Sequence, residues 1–136
     1  MTAAIQHVRL RDVEHYTNRR YIVDSFDCVD LAVDVQREVF GREVRIPVHP
    51  RGKKSQAVAI SRYANACTRL LSEPETGCIA LMRGQEGRWH IGTVVMNSAG
   101  TPWLLHAHST ELGVLLQPLA EVGELGLRVV EFREWL

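Results

Sequence analysis

The segment 89–96 reads WHIGTVVM, and beyond a turn-forming cluster the segment 103–108 reads WLLHAH. Both runs are rich in β-branched and aromatic residues, and asparagine, serine and glycine separate them, which is typical of a β-hairpin. Side chains alternate along a strand. The hairpin therefore predicts His90 on one face of its strand and places His106 and His108 together on one face of the next.

The rest of the chain extends this hairpin into a sheet and places helices before it. Connections in the second half are too short to hold crossover helices, so the strands are expected to be antiparallel. We therefore predict an α+β fold, with N-terminal helices packed on a C-terminal antiparallel sheet, in a single domain spanning 1–136. The predicted helices lie at about 28–40 and 55–71, and the predicted strands at about 78–83, 89–96, 103–107, 113–116 and 127–132.

Composition excludes several classes of protein. The 136 residues are 46% hydrophobic, and 16 basic residues balance 16 acidic ones, so no overall field favours nucleic acid or a membrane surface as a partner. Three widely spaced cysteines indicate neither a disulfide framework nor a zinc ribbon, and we expect no cofactor or metal. The N-terminus lacks a secretion signal, so we expect synthesis in the cytoplasm without a signal peptide.

Cys28 follows Asp27, a good N-cap residue, at the expected start of the first helix. The positive end of the helix dipole lowers the pKa of a thiol in this position, whereas the charges of Asp27 and Asp30 raise it. A cationic partner is therefore needed for a reactive thiolate. The alternative is an inert cysteine buried beneath the helix.

The hairpin offers that partner. A three-residue loop over 97–99 would set His90 opposite His106, and moving the loop centre by one residue would set it opposite His108. In either register one imidazole can orient the other, which is the arrangement of base and orienting group that a thiol nucleophile requires. Two histidines and Cys28 are also compatible with a zinc site, and this alternative stays open.

The order of these groups resembles the NlpC-type cell-wall peptidases, whose fold is a reduced papain. The resemblance rests on three stretches: 16–31, in which a tyrosine stands twelve residues before an Asp-Cys pair; 77–92, which ends in His-Ile-Gly; and 104–115, which contains Leu-His-Ala. Together they cover most of the chain and match best the branch found in bacteriophage tail-assembly proteins. Two departures are Cys78, where the family usually has an acidic residue, and the absence of glycines from 16–28.

The resemblance implies that Cys28 is the nucleophile, His90 the base and His106 the orienting residue, with Tyr16 as a polar wall at the substrate or a helper at the oxyanion. We also expect His108 to bind the substrate. It implies a cysteine peptidase that cleaves the D-glutamyl to diamino acid bond of peptidoglycan stem peptides through a thioester. Phage tail proteins would be its partners, and the virion or cell wall its place of action. An amidase or acyltransferase with another substrate, or a structural tail module whose catalysis is dispensable, are the alternatives.

The acidic residues beside Cys28 lead to one further expectation about the resting state. Because Asp27 and Asp30 disfavour a lone thiolate, we expect a Cys28 thiolate stabilised mainly by a protonated His90. Such a pair would titrate as one unit, with the thiolate present already at acidic pH.

Overall fold

A computed structural model describes residues 7–20, 27–44, 60, 64, 66–109 and 111–136. Within them lie one complete α-helix and a sheet of six strands, all paired antiparallel, which agrees with the predicted α+β class. The helix α1 spans Cys28–Glu38, and the strands are β1 Thr68–Leu71, β2 Ile79–Arg83, β3 Trp89–Met96, β4 Pro102–Ser109, β5 Gly113–Pro118 and β6 Arg128–Trp135. The sheet order is β1-β6-β2-β3-β4-β5.

The helix α1 begins and ends close to its predicted limits. Its buried stripe includes Leu31, Ala32 and Val35, which recur at helical spacing and pack against β3 and β4. Just beyond the helix, Gly41 has a φ of 68°, a left-handed conformation that glycine adopts without steric cost. Short 3₁₀ helices cover Leu10–Asp12, Glu14–Asn18, Gln85–Gly87 and Leu119–Leu125.

The sheet carries a hydrophobic cluster on each face. On the helix side, Ile91 and Val95 of β3 join the apolar residues of α1. On the distal side, Val94 joins Val122, which belongs to the 3₁₀ helix Leu119–Leu125. Because side chains alternate along β3, the side chain of His90 projects from the distal face of the sheet. The helix α1 packs against the opposite face.

The second predicted helix ends earlier than expected. We predicted that this helix would extend to residue 71. The helix ends at Cys67, and the prediction for its last four residues is wrong because Thr68–Leu71 forms strand β1. That strand pairs with Phe132–Trp135 of β6, and an ion pair between Arg69 and Glu134 adds a cross-strand contact. Long-range pairing thus overrides the local helical periodicity. The remainder of the predicted helix lies largely outside the described residues.

The hairpin loop is longer than the three residues that would set His90 opposite His106. Met96 pairs with Pro102, which leaves the five residues 97–101 in the loop. The side-chain oxygen of Asn97 accepts hydrogen bonds from the backbone N–H groups of Ala99 and Thr101, each at 2.9 Å, and holds this loop. The three-residue loop is therefore wrong.

The longer loop moves the register by one residue on each strand. Continued from Thr93↔Leu105, it sets His90 opposite His108 and Gly92 opposite His106, which is the alternative register considered above. A shared face for the three imidazoles is confirmed, since their ring centroids are 5.1–6.2 Å apart.

No helix in the described part of the chain is long and apolar enough to cross a membrane.

Candidate active site

Cys28 is the first residue of α1, and Asp27 caps the helix as predicted. The Asp27 carboxylate accepts hydrogen bonds from the backbone N–H of Val29 at 3.0 Å and of Asp30 at 3.1 Å. The Asp30 side chain in turn accepts from the backbone N–H of Asp27 at 3.0 Å, which completes a capping box. This reciprocal cap determines where the helix starts and therefore where the thiol stands.

The surroundings of Cys28 disfavour its thiolate. The side chain is 1% exposed, and burial, followed by the charges of Asp27 and Asp30, raises the pKa of the thiol to about 12. The backbone N–H of Ile91 opposes this rise by donating toward the sulfur. The predicted raising effect of Asp27 and Asp30 is confirmed, and desolvation is the larger cause, so the helix dipole does not yield a thiolate at a site this deeply buried.

The contact with Ile91 places the thiol beside the start of β3. The β3–β4 pairing runs from Met96↔Pro102 only as far as Thr93↔Leu105. At Ile91 the strand continues to pair with β2, through Leu81. The thiol thus meets β3 at the end where its pairing with β4 has stopped, next in sequence to His90.

His90 and His106 are hydrogen-bonded to each other. The Nε2 atom of His90 lies 2.9 Å from Nδ1 of His106, which leaves Nδ1 as the second ring nitrogen of His90. His106 reaches this diagonal position because Gly92 stands opposite it. A Cβ atom at Gly92 would lie 3.0 Å from Cβ of His106 and 2.6 Å from Cδ1 of Leu104, so the close approach requires glycine.

Both imidazoles are neutral at pH 7. Burial, together with the neighbouring imidazoles of His106 and His108, lowers the pKa of His90 well below its usual value. Burial and the charge of His108 likewise lower the pKa of His106 to about 4, although its hydrogen bond to Oε1 of Gln117 acts in the opposite direction. The expected resting ion pair of thiolate and imidazolium is therefore wrong, since burial disfavours the charged form of both partners.

His108 completes the cluster of three imidazoles. It is half-buried, and its Nδ1 atom lies 3.1 Å from the hydroxyl oxygen of Ser109, which also accepts a hydrogen bond from the N–H of Leu112. Its ring centroid is 6.2 Å from that of His90, compared with 5.1 Å for His106. His106 is thus the hydrogen-bond partner of His90, although His108 occupies the opposite register position.

Tyr16 does not lie where the resemblance places it. Its ring is fully buried, and its hydroxyl donates to Oε1 of Glu38 at 2.5 Å. Glu38 ends α1, about 15 Å along the helix axis from Cys28 at a rise of 1.5 Å per residue. Arg19 lies over the same ring and pairs with Glu38, so Tyr16 fastens the 3₁₀ segment to the far end of the helix. Its expected role at the substrate or oxyanion is not supported.

Gln117 is a member of the cluster that sequence reasoning missed. Its Oε1 atom lies 2.8 Å from Nε2 of His106, on the side of the ring away from His90. It is the sole polar side chain in β5, and on that ground it could have been singled out. The strand register was needed to show which histidine it faces, because β5 pairs Leu104 with Gln117 and His106 with Leu115.

None of the three cysteines forms a disulfide. Cys78 is buried on the distal face, where desolvation raises the pKa of its thiol to about 11. Among the residues that the structure describes, no group of three or more histidine, cysteine or acidic side chains is arranged to hold a metal ion. The zinc alternative therefore has no support from this geometry.

No protein-family model matches the chain, and a search of curated proteins finds no significant match.

Asp27 offers a test of how the cap and the thiol interact. Asp27→Asn retains a capping side chain but removes a negative charge, so we expect little change in stability and a lower pKa of Cys28. Asp27→Ala removes the cap as well and is expected to lower the free energy of unfolding by about 1 kcal/mol. Urea unfolding and the pH dependence of Cys28 alkylation measure the two effects. Equal stability loss in both variants would contradict the capping role.

Proposed function

We propose that the chain is a papain-like cysteine hydrolase in which Cys28 is the nucleophile, His90 the base and His106 the orienting residue. The observation that carries this proposal is the 2.9 Å contact between Nε2 of His90 and Nδ1 of His106. It occupies one ring nitrogen of His90 and leaves Nδ1 for the thiol. A base held by a second group is the arrangement that activates a thiol in this class of enzyme.

In this proposal the thiol and the imidazole meet where β3 and β4 separate. Cys28 reaches β3 from the helix side at Ile91, and His90 comes from the distal face one residue earlier. The β3–β4 pairing ends at Thr93↔Leu105, and the proposal requires the two groups to meet beyond this last pair. A helix that carries the thiol and a sheet that carries the imidazoles also support the reduced papain-like form of the α+β fold.

The proposed reaction starts from a neutral pair. As Sγ of Cys28 attacks the amide carbon, its proton passes to Nδ1 of His90, and the carbonyl oxygen becomes an oxyanion. Collapse of this intermediate breaks the C–N bond, and His90 gives its proton to the leaving amine, which leaves a thioester on Cys28. His90 then takes a proton from water as the water attacks the thioester. The C–S bond breaks, His90 returns the proton to Sγ of Cys28, and the acid is released.

The backbone N–H groups of Cys28 and Ile91 are suited to bind the oxyanion, because both are directed at the sulfur. The N–H groups of Val29 and Asp30 already donate to the Asp27 carboxylate. Fixed donors beside the nucleophile stabilise a developing oxyanion strongly in a dry site. In this proposal the N–H groups of Cys28 and Ile91, and not Tyr16, bind the oxyanion.

The substrate is proposed from the family resemblance alone. It points to the amide bond between a D-glutamyl residue and a diamino acid in a peptidoglycan stem peptide, with His108 at the substrate. It also points to action at the cell wall as part of a phage tail. No cofactor takes part in this reaction.

A second candidate is a structural tail module in which catalysis is dispensable. It is favoured by the burial of Cys28, whose neutral thiol is 1% exposed in a cluster formed with the helix. An amidase or acyltransferase would use the same thiol and imidazoles on a different acyl group. Product analysis separates these three functions.

The test is the incubation of the purified chain with isolated stem peptides, followed by mass spectrometry of the products. We expect a new D-glutamyl carboxyl group and a free diamino acid amine, and no product from the Cys28→Ala variant. Cys78→Ala is the matched control, because Cys78 is equally buried but on the distal face, and it should retain turnover. Turnover that survives Cys28→Ala would exclude the proposed nucleophile, and no turnover in the parent protein would favour the structural module.

A further inference from the structure

Gln117 ends a line of hydrogen bonds that passes through the imidazoles of His106, which is buried, and His90, which is half-buried. Its Oε1 atom is 2.8 Å from Nε2 of His106, and Nδ1 of His106 is 2.9 Å from Nε2 of His90. His106 has no exposed surface, so both of its ring nitrogens find their partners within this line. The proton arrangement of all three groups is therefore linked.

An amide oxygen can only accept a hydrogen bond, and this determines which ring nitrogen of His106 carries the proton. Nε2 of His106 must carry hydrogen in order to donate to Gln117. A neutral imidazole has one N–H, so Nδ1 of His106 holds a lone pair and accepts. Nε2 of His90 is then the donor, and Nδ1 of His90 holds the lone pair.

We propose that Gln117 is a positioning residue that acts through His106 to hold His90 as the tautomer with a proton on Nε2 and a free lone pair on Nδ1. The opposite arrangement, in which the Gln117 amide donates, would reverse every bond and put a proton on Nδ1 of His90. In that state His90 could not accept the thiol proton. The consequence for catalysis rests on the proposed function, whereas the tautomers themselves do not.

The tautomers can be measured directly in the whole chain. Long-range ¹H–¹⁵N correlation spectra of the ¹⁵N-histidine-labelled protein at pH 7 distinguish protonated from unprotonated ring nitrogens. We expect both His90 and His106 to carry hydrogen on Nε2. Hydrogen on Nδ1 of either residue in the parent protein would overturn the proposal without any variant.

Two substitutions at Gln117 separate this role from a purely structural one. Gln117→Glu keeps an acceptor at the same place and should keep both tautomers, while its charge raises the pKa of His106. Gln117→Met has a similar shape but no acceptor, and we expect the Nδ1–H form of His90 to become populated. Unchanged tautomers in Gln117→Met, or an unchanged His106 titration in Gln117→Glu, would contradict the assignment.

Turnover provides the second readout. In Gln117→Met we expect kcat to fall about tenfold, the equivalent of one hydrogen bond, with KM unaffected. Gln117→Glu should restore most of kcat and move the acid limb of the pH profile with the titration of His106. Correct tautomers in a chain without hydrolysis would support this inference and remove the proposed function. Hydrolysis with the opposite tautomers would remove this inference and the proposed role of Nδ1 of His90 as base, but not the hydrolase function itself.

Discussion

Replacing His90 with alanine is expected to lower kcat/KM for a stem peptide by roughly 10⁴-fold, the upper end of what a positioned general base contributes. Burial raises the pKa of Cys28 to about 12, so almost no thiolate exists at pH 7 and a base must remove the proton during attack. The neutral imidazole of His90 is the group proposed to do so. Steady-state kinetics of the parent and variant measure the loss.

His7→Ala is the matched control, because His7 is exposed and outside the imidazole cluster, and it should retain full activity. Thermal unfolding of both variants shows whether each remains folded. Activity within tenfold of the parent in His90→Ala would show that His90 is not the base.

The pH dependence of alkylation shows whether Cys28 and His90 are neutral or form an ion pair in the resting protein. Because the buried thiol is neutral, we expect the rate of iodoacetamide reaction at Cys28, followed by peptide mapping, to go on rising above about pH 10. A resting ion pair would instead give a plateau that begins at acidic pH. Such a plateau would contradict the neutral pair and restore the arrangement expected from the sequence.

Acidification is expected to destabilise the protein through its buried histidines. In the unfolded chain His106 binds a proton below about pH 6.5. In the folded protein burial lowers its pKa to about 4. Between pH 6.5 and pH 4 the unfolded state therefore binds more protons than the folded state. The contribution of His106 to the free energy of unfolding is complete above about pH 6.5 and is lost as the pH falls toward 4. His106 alone accounts for roughly 3 kcal/mol of this loss, since each pKa unit corresponds to about 1.4 kcal/mol.

Urea unfolding at pH 7, 6, 5 and 4 tests this dependence. His106→Gln should flatten the curve by about the same amount, and comparison with the parent cancels the contribution of the carboxylates. His7→Ala, which replaces an exposed histidine, should keep the parent's slope. If His106→Gln and the parent lost equal stability on acidification, His106 would not be the group responsible.

Local patterns were sufficient where the determining interactions are local. The start of α1 follows from Asp27, since its carboxylate bonds to N–H groups two and three residues away. The strand β3 was predicted at Trp89–Met96, the bounds that the structure has, because alternation and β-branched residues are read from neighbouring positions.

Long-range pairing decided what local patterns could not. Thr68–Leu71 is helical by periodicity and a strand by its contacts with β6, some 60 residues later in sequence. Gln117 was missed for the same kind of reason. A glutamine in a strand indicates nothing until the neighbouring strand shows which side chain it meets.

Capping and alternation depend on residues a few positions apart, so local patterns were enough to predict that a cysteine opens the first helix and that the imidazoles share one face of an antiparallel sheet. The register of the histidines, the position of Tyr16 and the neutral state of Cys28 depend on how the helix and the strands pack. The neutral state of Cys28 results from burial. Desolvation at Cys28, His90 and His106 comes from the packing of helix and sheet together, and it outweighs the helix dipole that is visible in the sequence.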